Sequence, residues 1–226
     1  VTGISKGSGM IEPNMATMLG FIGTNANITK EMLDEMIVEV ADNSFNCITV
    51  DGDTSTNDSF IIIATKQSNH QPIETKNENY YVLKEALLEI AKILAQSIIR
   101  DGEGATKFIS INIHGGKNRE ECLSIGKSIA HSPLVKTAFF ASDPNLGRIL
   151  AAIGNSPIEL LDINLIDIFL NQVQFVKSGS LAKNYKESMG VKEMKNEEIT
   201  LDIYLGRGEY TSTVWTTDLS YDYVKI

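Results

Sequence analysis

Cysteine and histidine are scarce in this chain, and their scarcity excludes several kinds of site. The 226 residues contain only two cysteines, Cys47 and Cys122, and three histidines that lie far apart, His70, His114 and His131. This spacing supports neither a zinc site nor a disulfide framework. We therefore expect no metal site, and we expect two reduced thiols that are buried as small apolar side chains in a cytoplasmic protein.

Positive charge and long hydrophobic runs are also in short supply. Lys and Arg total 20 against 29 for Asp and Glu, which gives a net charge of −9 and argues against a nucleic-acid partner. No apolar stretch approaches the roughly 20 residues that a membrane-spanning helix needs. The first residues also lack the charged-then-apolar pattern of a signal peptide, so we expect no membrane association.

Hydrophobic periodicity and turn signals predict a mixed α+β fold. A helix is predicted after Thr29 as its N-cap, and others end near Arg100, Ala130 and Gly154, the last of them beginning at Asp143 as N-cap. The predicted strands are residues 17–24, 60–64, 108–114, 134–141, 163–170, 173–176, 199–205 and 210–217, with the last two forming a hairpin through residues 206–208. No repeat or clean domain break is visible, so we expect one domain of layered helices and sheets.

The informative stretch lies near the N-terminus, where a small residue, Ala16, precedes Thr17 at the mouth of an apolar strand. Upstream glycines allow a sharp bend, and Pro13 fixes one backbone angle. Such a segment suits self-cleavage: the Thr17 hydroxyl attacks the Ala16 carbonyl, the peptide shifts to an ester, and water releases a new N-terminus. The new α-amine, with a pKa of about 7.7–8.0, can serve as the general base that a threonine otherwise lacks.

By themselves the residues around Thr17 leave a structural alternative open, because a threonine that opens a strand is usually only a good strand former. The run SKGSGMIEPNMATMLGFI, however, resembles the processing site of the glutamate/ornithine N-acetyltransferase family of arginine biosynthesis, in which cleavage falls between the small residue and the threonine. The other stretches that resemble the family, in the family's order, are residues 50–58, 101–107, 134–138, 142–148, 216–220 and 223–224.

The resemblance implies roles for individual residues. It makes Thr17 the nucleophile and a substrate-binding residue, and it places the cleavage site between Ala16 and Thr17. Lys6 matches a lysine that binds the substrate, through the amino acid's carboxylate, and Glu103 matches a glutamate that faces the substrate's ammonium group. Without the resemblance, Lys6 would be interpreted as a solvated surface lysine and Glu103 as a loop carboxylate.

The resemblance also implies the fold, the domains and the reaction. The fold would be a helix–sheet–sheet–helix sandwich of the aminopeptidase/ornithine acetyltransferase type. Residues 1–16 would be the end of a companion α-chain, and residues 17–226 the single domain of the β-chain, in an α2β2 heterotetramer. The enzyme would be an acyltransferase that moves an acetyl group from N-acetylornithine to glutamate without a cofactor. Whether acetyl-CoA is a second donor stays open.

Two alternatives remain at this level. One is an N-terminal-threonine aminopeptidase or amidohydrolase on the same scaffold, and the other is a non-enzymatic subunit in which Thr17 is never exposed. The polar run 51–58 lacks the spacing and the terminal glutamate of a calcium hand, so we interpret it as a structural, hydrogen-bonding loop near the site.

Overall fold

The computed structural model describes residues 1–7, 11, 18–53 and 57–225 and confirms the mixed α+β class. The chain divides into two compact units, Val1–Asp101 and Gly102–Ile226. This boundary lies within the range 17–226 for which the sequence predicts one domain. The division at residue 16 concerns cleavage of a peptide bond and stays a prediction.

The first unit contains a three-stranded mixed sheet and two helices. Its strands are β1 (Thr2–Lys6), β2 (Leu19–Thr24) and β3 (Ser59–Ala64), in the order β1-β2-β3. β2 runs antiparallel to β1 and parallel to β3. The helices are α1 (Lys30–Asp42) and α2 (Glu78–Arg100), and α2 packs on β1 and β2.

Local signals explain where these two helices begin. The Thr29 side chain accepts from the Met32 amide at the start of α1, as predicted, and the Asn77 side chain accepts from the Tyr80 amide at the start of α2. The apolar face of α2 includes Leu87, Ala91 and Ala95, all of them fully buried.

The second unit is built on a six-stranded mixed sheet. Its strands are β4 (Phe108–Gly116), β5 (Asp167–Leu170), β6 (Val173–Lys177), β7 (Ser180–Leu181), β8 (Glu198–Tyr204) and β9 (Tyr210–Thr217), in the order β7-β6-β5-β8-β4-β9. The helices are α3 (Arg119–Ala130), α4 (Pro133–Phe140), α5 (Leu146–Gly154), α6 (Glu187–Met194) and α7 (Tyr221–Lys225). The predicted alternation of β4 is confirmed: Ile109, Ile111 and Ile113 are fully buried in the core.

The predicted hairpin between the last two long strands is wrong. β4 lies between β8 and β9, parallel to β8 and antiparallel to β9. The connecting turn instead crosses the end of β4, where the Arg207 and Gly208 amides both donate to the Gly115 carbonyl at 2.8 Å. A buried ion pair between Arg207 and Glu121, at 2.9 Å, holds this crossing turn against α3. Strand propensity located both strands correctly but carried no information on which strand lies between them.

The predicted strand at residues 134–141 is also wrong, because this segment forms α4. The Ser132 side chain accepts from the Val135 amide, and Pro133 occupies the first turn, where a missing N–H costs nothing. Val135, Ala138 and Phe139 then lie on one buried face at helical spacing. The Ser-Pro pair was the signal for a helix, and the apolar run that follows it concealed the signal.

Two smaller predictions need correction. Asp143 is not the N-cap of the next helix: Asn145 has that role, and its side chain accepts from the Arg148 amide. The predicted strand at residues 163–170 is shorter, because Ile163–Leu165 form a turn of 3-10 helix and β5 starts only at Asp167.

The two thiols match the prediction. Cys47 and Cys122 are both free and buried. Within the described part of the chain, no helix combines the length and the apolar character that crossing a bilayer requires.

Candidate active site

A loop in the first unit holds both sides of the predicted processing segment. Ile11 is the described residue that precedes residues 12–17, and Met18 is the one that follows them. The Ile11 amide donates to Asp51 Oδ1 at 3.0 Å, and the Ile11 carbonyl accepts from the Val50 amide at 2.7 Å. Ile11 itself is fully buried, so this end is fixed by both packing and hydrogen bonds.

Met18 is held in the same two-point manner at the other end of the loop. Its amide donates to Asp58 Oδ1, and its carbonyl accepts from the Ser59 amide at 2.9 Å. The Met18 side chain is buried. Paired contacts therefore tie Ile11 and Met18, the described residues that precede and follow residues 12–17, to residues 50–59.

The second oxygen of Asp58 is in an unusual position. Asp58 Oδ2 is buried, and it accepts no hydrogen bond from any described residue. Burial raises the pKa of the Asp58 carboxyl, while the Met18 amide acts in the opposite direction. An ionised carboxylate in such a place costs free energy unless a donor approaches its open oxygen.

Lys6 lies at the end of β1, and its side chain is exposed. It lines a pocket of the first unit together with Ser5, Gly7, Ser97, Ile98 and Asp101. The lysine pairs in register with Leu19 of β2, one residue after Met18. The structure therefore brings Lys6 to the same end of the sheet as Met18 and Asp58, in a position open to a small anionic ligand.

Glu103 lies in a loop of the second unit that the C-terminal segment holds in place. The Asp218 carboxylate is buried and accepts from the Thr106 and Lys107 amides at 2.9 and 3.0 Å, and from the hydroxyls of Thr106 and Thr217. Ser220 Oγ donates to the Gly104 carbonyl at 2.6 Å. These bonds fix the backbone that follows Glu103, whose side chain is half-buried.

The backbone conformation at position 104 explains why a glycine follows Glu103. The φ of Gly104 is +64°, a left-handed conformation, and a Cβ atom there would lie 2.5 Å from the Tyr223 amide nitrogen. Any other residue would be strained and would also collide with the Tyr223 backbone in α7. The tight approach of these two segments therefore requires glycine at this position.

A buried lysine stands beside the same loop. Lys107 Nζ donates to the Ser142 hydroxyl at 3.1 Å and to the Met194 and Asn196 carbonyls. Burial lowers the pKa of Lys107, against the opposing effect of Asp218 and Glu197. Ser142, whose φ is +53°, lies in the loop after α4. Its hydrogen bond with Lys107 therefore connects that loop to the loop that carries Glu103. The role of Lys107 is structural, since protein oxygens accept from its ammonium group.

The structure locates part of the predicted site. Lys6 and Glu103 are each placed within their own unit, and Ala16 and Thr17 lie outside the described residues. The sequence reading did not single out Asp58 or Asp218. Asp58 belongs to the polar run interpreted as a hydrogen-bonding loop, and its position at the start of β3 was the available signal. Among the described residues, no group of three potential ligands could hold a metal ion.

Comparison with known proteins identifies the family. The sequence profile of the ArgJ family matches residues 1–226. This chain belongs to the ArgJ family. The motifs at residues 5–22, 50–58 and 101–107 therefore indicated the family correctly.

Individual members of the ArgJ family resemble the chain over all or most of its length. The arginine biosynthesis bifunctional protein ArgJ of Pseudomonas fluorescens (strain Pf0-1) is 52% identical over 227 residues, which cover all of this chain and 56% of that protein. The chain thus spans little more than half the length of this curated relative. The crystal structure of the arginine biosynthesis bifunctional protein ArgJ from Bacillus halodurans superposes with a TM-score of 0.88 at 35% identity. This match covers 92% of our chain and 98% of that one.

Proposed function

We propose that this chain is the nucleophile-bearing part of a self-cleaving acyltransferase that moves an acetyl group from N-acetylornithine to glutamate. Membership of the ArgJ family supports the reaction class. The observation that carries the proposal is the pair of anchors at Ile11 and Met18, the described residues on either side of residues 12–17. Attack on a peptide bond by the neighbouring hydroxyl is favoured when the chain on either side of that bond is anchored.

The chemistry runs in two stages after the Ala16–Thr17 bond is cleaved. Thr17 Oγ attacks the acetyl carbonyl of N-acetylornithine as its proton moves to the Thr17 α-amine. The tetrahedral intermediate collapses, the C–N bond breaks, and the proton passes to the departing ornithine amine. Glutamate's amine then attacks the acetyl-Thr17 ester, gives its proton to the α-amine, and leaves Thr17 Oγ reprotonated. No step calls for a metal or an organic cofactor.

The substrate contacts follow from charge. Both substrates carry a carboxylate, and Lys6 offers an exposed ammonium group in the pocket at the end of β1. Glu103 supplies a carboxylate for the substrate's ammonium group, on a loop that Asp218 and Ser220 hold still. Fixed loops favour catalysis because substrate orientation is then settled on binding.

A companion α-chain from the same precursor is part of the proposal. One face of the first sheet packs on α2, while the other carries exposed large apolar side chains. These are Ile4, Leu19, Phe21, Ile61 and Ile63. An apolar sheet face of this kind is typical of a protein–protein contact. We propose that the companion chain covers it, supplies the oxyanion donors, and forms an α2β2 assembly in the reducing cytoplasm, which suits two free thiols.

The decisive experiment is intact mass spectrometry of the precursor after expression in cells. We expect the wild type to be cleaved after Ala16 and to gain the mass of one acetyl group on the Thr17 chain when N-acetylornithine is added. Thr17→Ala should remain uncleaved and transfer no acetyl group. Thr17→Ser should retain part of both functions, because the hydroxyl survives. The exposed Thr65, changed to alanine, is the matched control and should behave as the wild type.

The acceptor is tested in the same assay. Ornithine release should require glutamate beyond the first turnover. In a site that excludes water, no other acceptor can remove the acetyl group from the Thr17 ester. Steady ornithine release without glutamate would contradict acetyl transfer and indicate a hydrolase. Acetyl-CoA is included as a separate donor, because the matched relatives are named bifunctional proteins. An uncleaved wild type with full activity would refute the scheme.

A further inference from the structure

We propose that Asp58 is the residue that positions the α-amine of Thr17, with Oδ1 fixing the Met18 amide and Oδ2 receiving the ammonium group formed when the amine takes up a proton. This inference rests on the proposed function, because it assigns a partner to the general base of that reaction. Its own support comes from four features of the first unit.

The position of Asp58 follows from strand register. β2 and β3 are parallel, and Leu19 pairs with Ser59. Asp58 therefore precedes its strand by one residue, as Met18 precedes the strand beside it. A carboxylate in this place reaches the Met18 amide across 40 residues of sequence. Since Met18 follows Thr17 directly, Asp58 contacts the peptide nitrogen that joins the nucleophile to β2.

The open oxygen is the second feature. Asp58 Oδ2 is buried, and the described residues offer it no hydrogen bond. Buried carboxylate oxygens are nearly always satisfied, because each one left open forfeits the hydration it had in water. Burial already raises the pKa of this carboxyl. A cationic donor at Oδ2 would offset the free-energy cost of leaving this buried oxygen without a hydrogen bond. Cleavage creates one such donor, the α-amine of Thr17, the residue that precedes Met18 in the sequence.

The third feature is the scarcity of competing charges. β2 and β3 contain no ionisable residue. The acidic neighbours in the same loop are Asp51, whose Oδ1 accepts from the Ile11 and Asp53 amides, and Asp53, which is exposed. On the adjoining strand the charged residue is Lys6, opposite Leu19. None of these charges contributes to the pKa of Asp58, which burial and the Met18 amide determine.

The fourth feature is what the arrangement can do chemically. An α-amine that accepts the Thr17 hydroxyl proton becomes a cation in the transition state, and a fixed carboxylate beside it stabilises that charge. A buried aspartate acts on histidine in this way in serine proteases: it orients the base and stabilises its protonated form, without taking the proton itself. The proton then passes to the departing amine, so Asp58 ends each cycle ionised.

The test compares Asp58→Asn with the wild type in the full precursor. Asparagine keeps an oxygen for the Met18 amide but removes the charge. We expect the rate of acetyl transfer, per cleaved chain, to fall about 100-fold. A carboxylate raises the pKa of a neighbouring amine, so its removal should also move the acid limb of the kcat/KM profile to lower pH, by about one unit. Asp58→Glu should restore part of the rate.

One control variant and one alternative preparation of Asp58→Asn keep the test decisive. Asp53→Asn removes an exposed charge from the same loop and should leave rate and pH profile unchanged. If Asp58→Asn is not cleaved, the chain is instead produced with Thr17 as its first residue, alongside the rest of the precursor, and the same comparison is made.

A lower rate with an unshifted acid limb would mean that Asp58 is only structural, and an unchanged rate would mean that it has no role. Either result overturns the inference.

The outcome is separable from that of the proposed function. A wild type that forms no acetyl-Thr17 overturns the proposed function, and the inference falls with it. A wild type that forms the adduct, with an Asp58→Asn variant whose acid limb is unmoved, overturns the inference alone.

Discussion

The carboxylates of Asp58, which is half-buried, and Asp218, which is buried, differ in how completely their oxygens are used. Asp218 accepts from two backbone amides and two hydroxyls, which makes it a structural anchor for the Glu103 loop. Asp58 uses one oxygen on the Met18 amide and keeps the other open within the described part of the chain. A carboxylate whose oxygens all accept hydrogen bonds stabilises the fold, whereas a carboxylate with an unused oxygen can still bind a donor.

Lys6 gives a prediction at the scale of one residue. Lys6→Ala should raise the KM for N-acetylornithine by about tenfold, which corresponds to the loss of one charged hydrogen bond of about 1.5 kcal/mol. The value of kcat should change little, because a carboxylate remote from the reacting carbonyl is bound equally in ground and transition states. Steady-state kinetics provide the measurement. Lys183→Ala, which removes an exposed lysine of the second unit, is the control. Unchanged kinetics for Lys6→Ala would remove it from the site.

At the scale of elements, the sequence located helices and strands better than it ordered them. The caps at Thr29 and Asn145 and the alternation of β4 depend on residues a few positions apart, so a local pattern is enough to predict them. The Thr29 cap was predicted, while Asn145 displaced Asp143. The insertion of β4 between β8 and β9 depends on pairing with distant strands, which the predicted hairpin ignored.

The Glu103 loop gives a prediction at this scale. Gly104→Ala should lower the free energy of unfolding by at least about 1–2 kcal/mol, because alanine is strained at positive φ and its Cβ would collide with the Tyr223 amide. Acetyl transfer should fall as well, since the displaced loop carries Glu103. Urea unfolding and a transfer assay measure the two effects.

Gly154 offers the matched control for that substitution. It is the last residue of α5, and a Cβ there would meet no atom within 4 Å. Gly154→Ala should stabilise the protein by up to about 1 kcal/mol, because alanine is the better helix former. Equal effects at both positions would show that the approach of Gly104 to Tyr223 is unimportant.

At the scale of the molecule, the second unit contains a hydrophobic core of its own. The large core cluster, from Ile109 to Val214, lies entirely within the second unit. The anchoring bonds of Asp218 and Ser220 also lie within that unit. Folding therefore does not require the first unit to complete this core.

A truncation tests this independence. We expect residues 102–226, produced alone, to unfold in a single cooperative thermal transition and to disperse amide signals in a proton–nitrogen correlation spectrum. Residues 1–101 alone should be prone to association, because the exposed sheet face with Ile4, Phe21 and Ile61 has no cover. A second unit that melts without cooperativity would show that its core depends on the rest of the chain.

The sequence alone determined the fold class and the family, because these depend on composition and on contiguous residues. Tertiary structure decided which distant groups meet. Asp58 reaches Met18 from 40 residues away only because β2 and β3 pair in parallel, and Asp218 reaches Thr106 across 112 residues only because β9 pairs with β4. Such contacts depend on strand order, and strand order results from the packing of the whole sheet rather than from any local pattern.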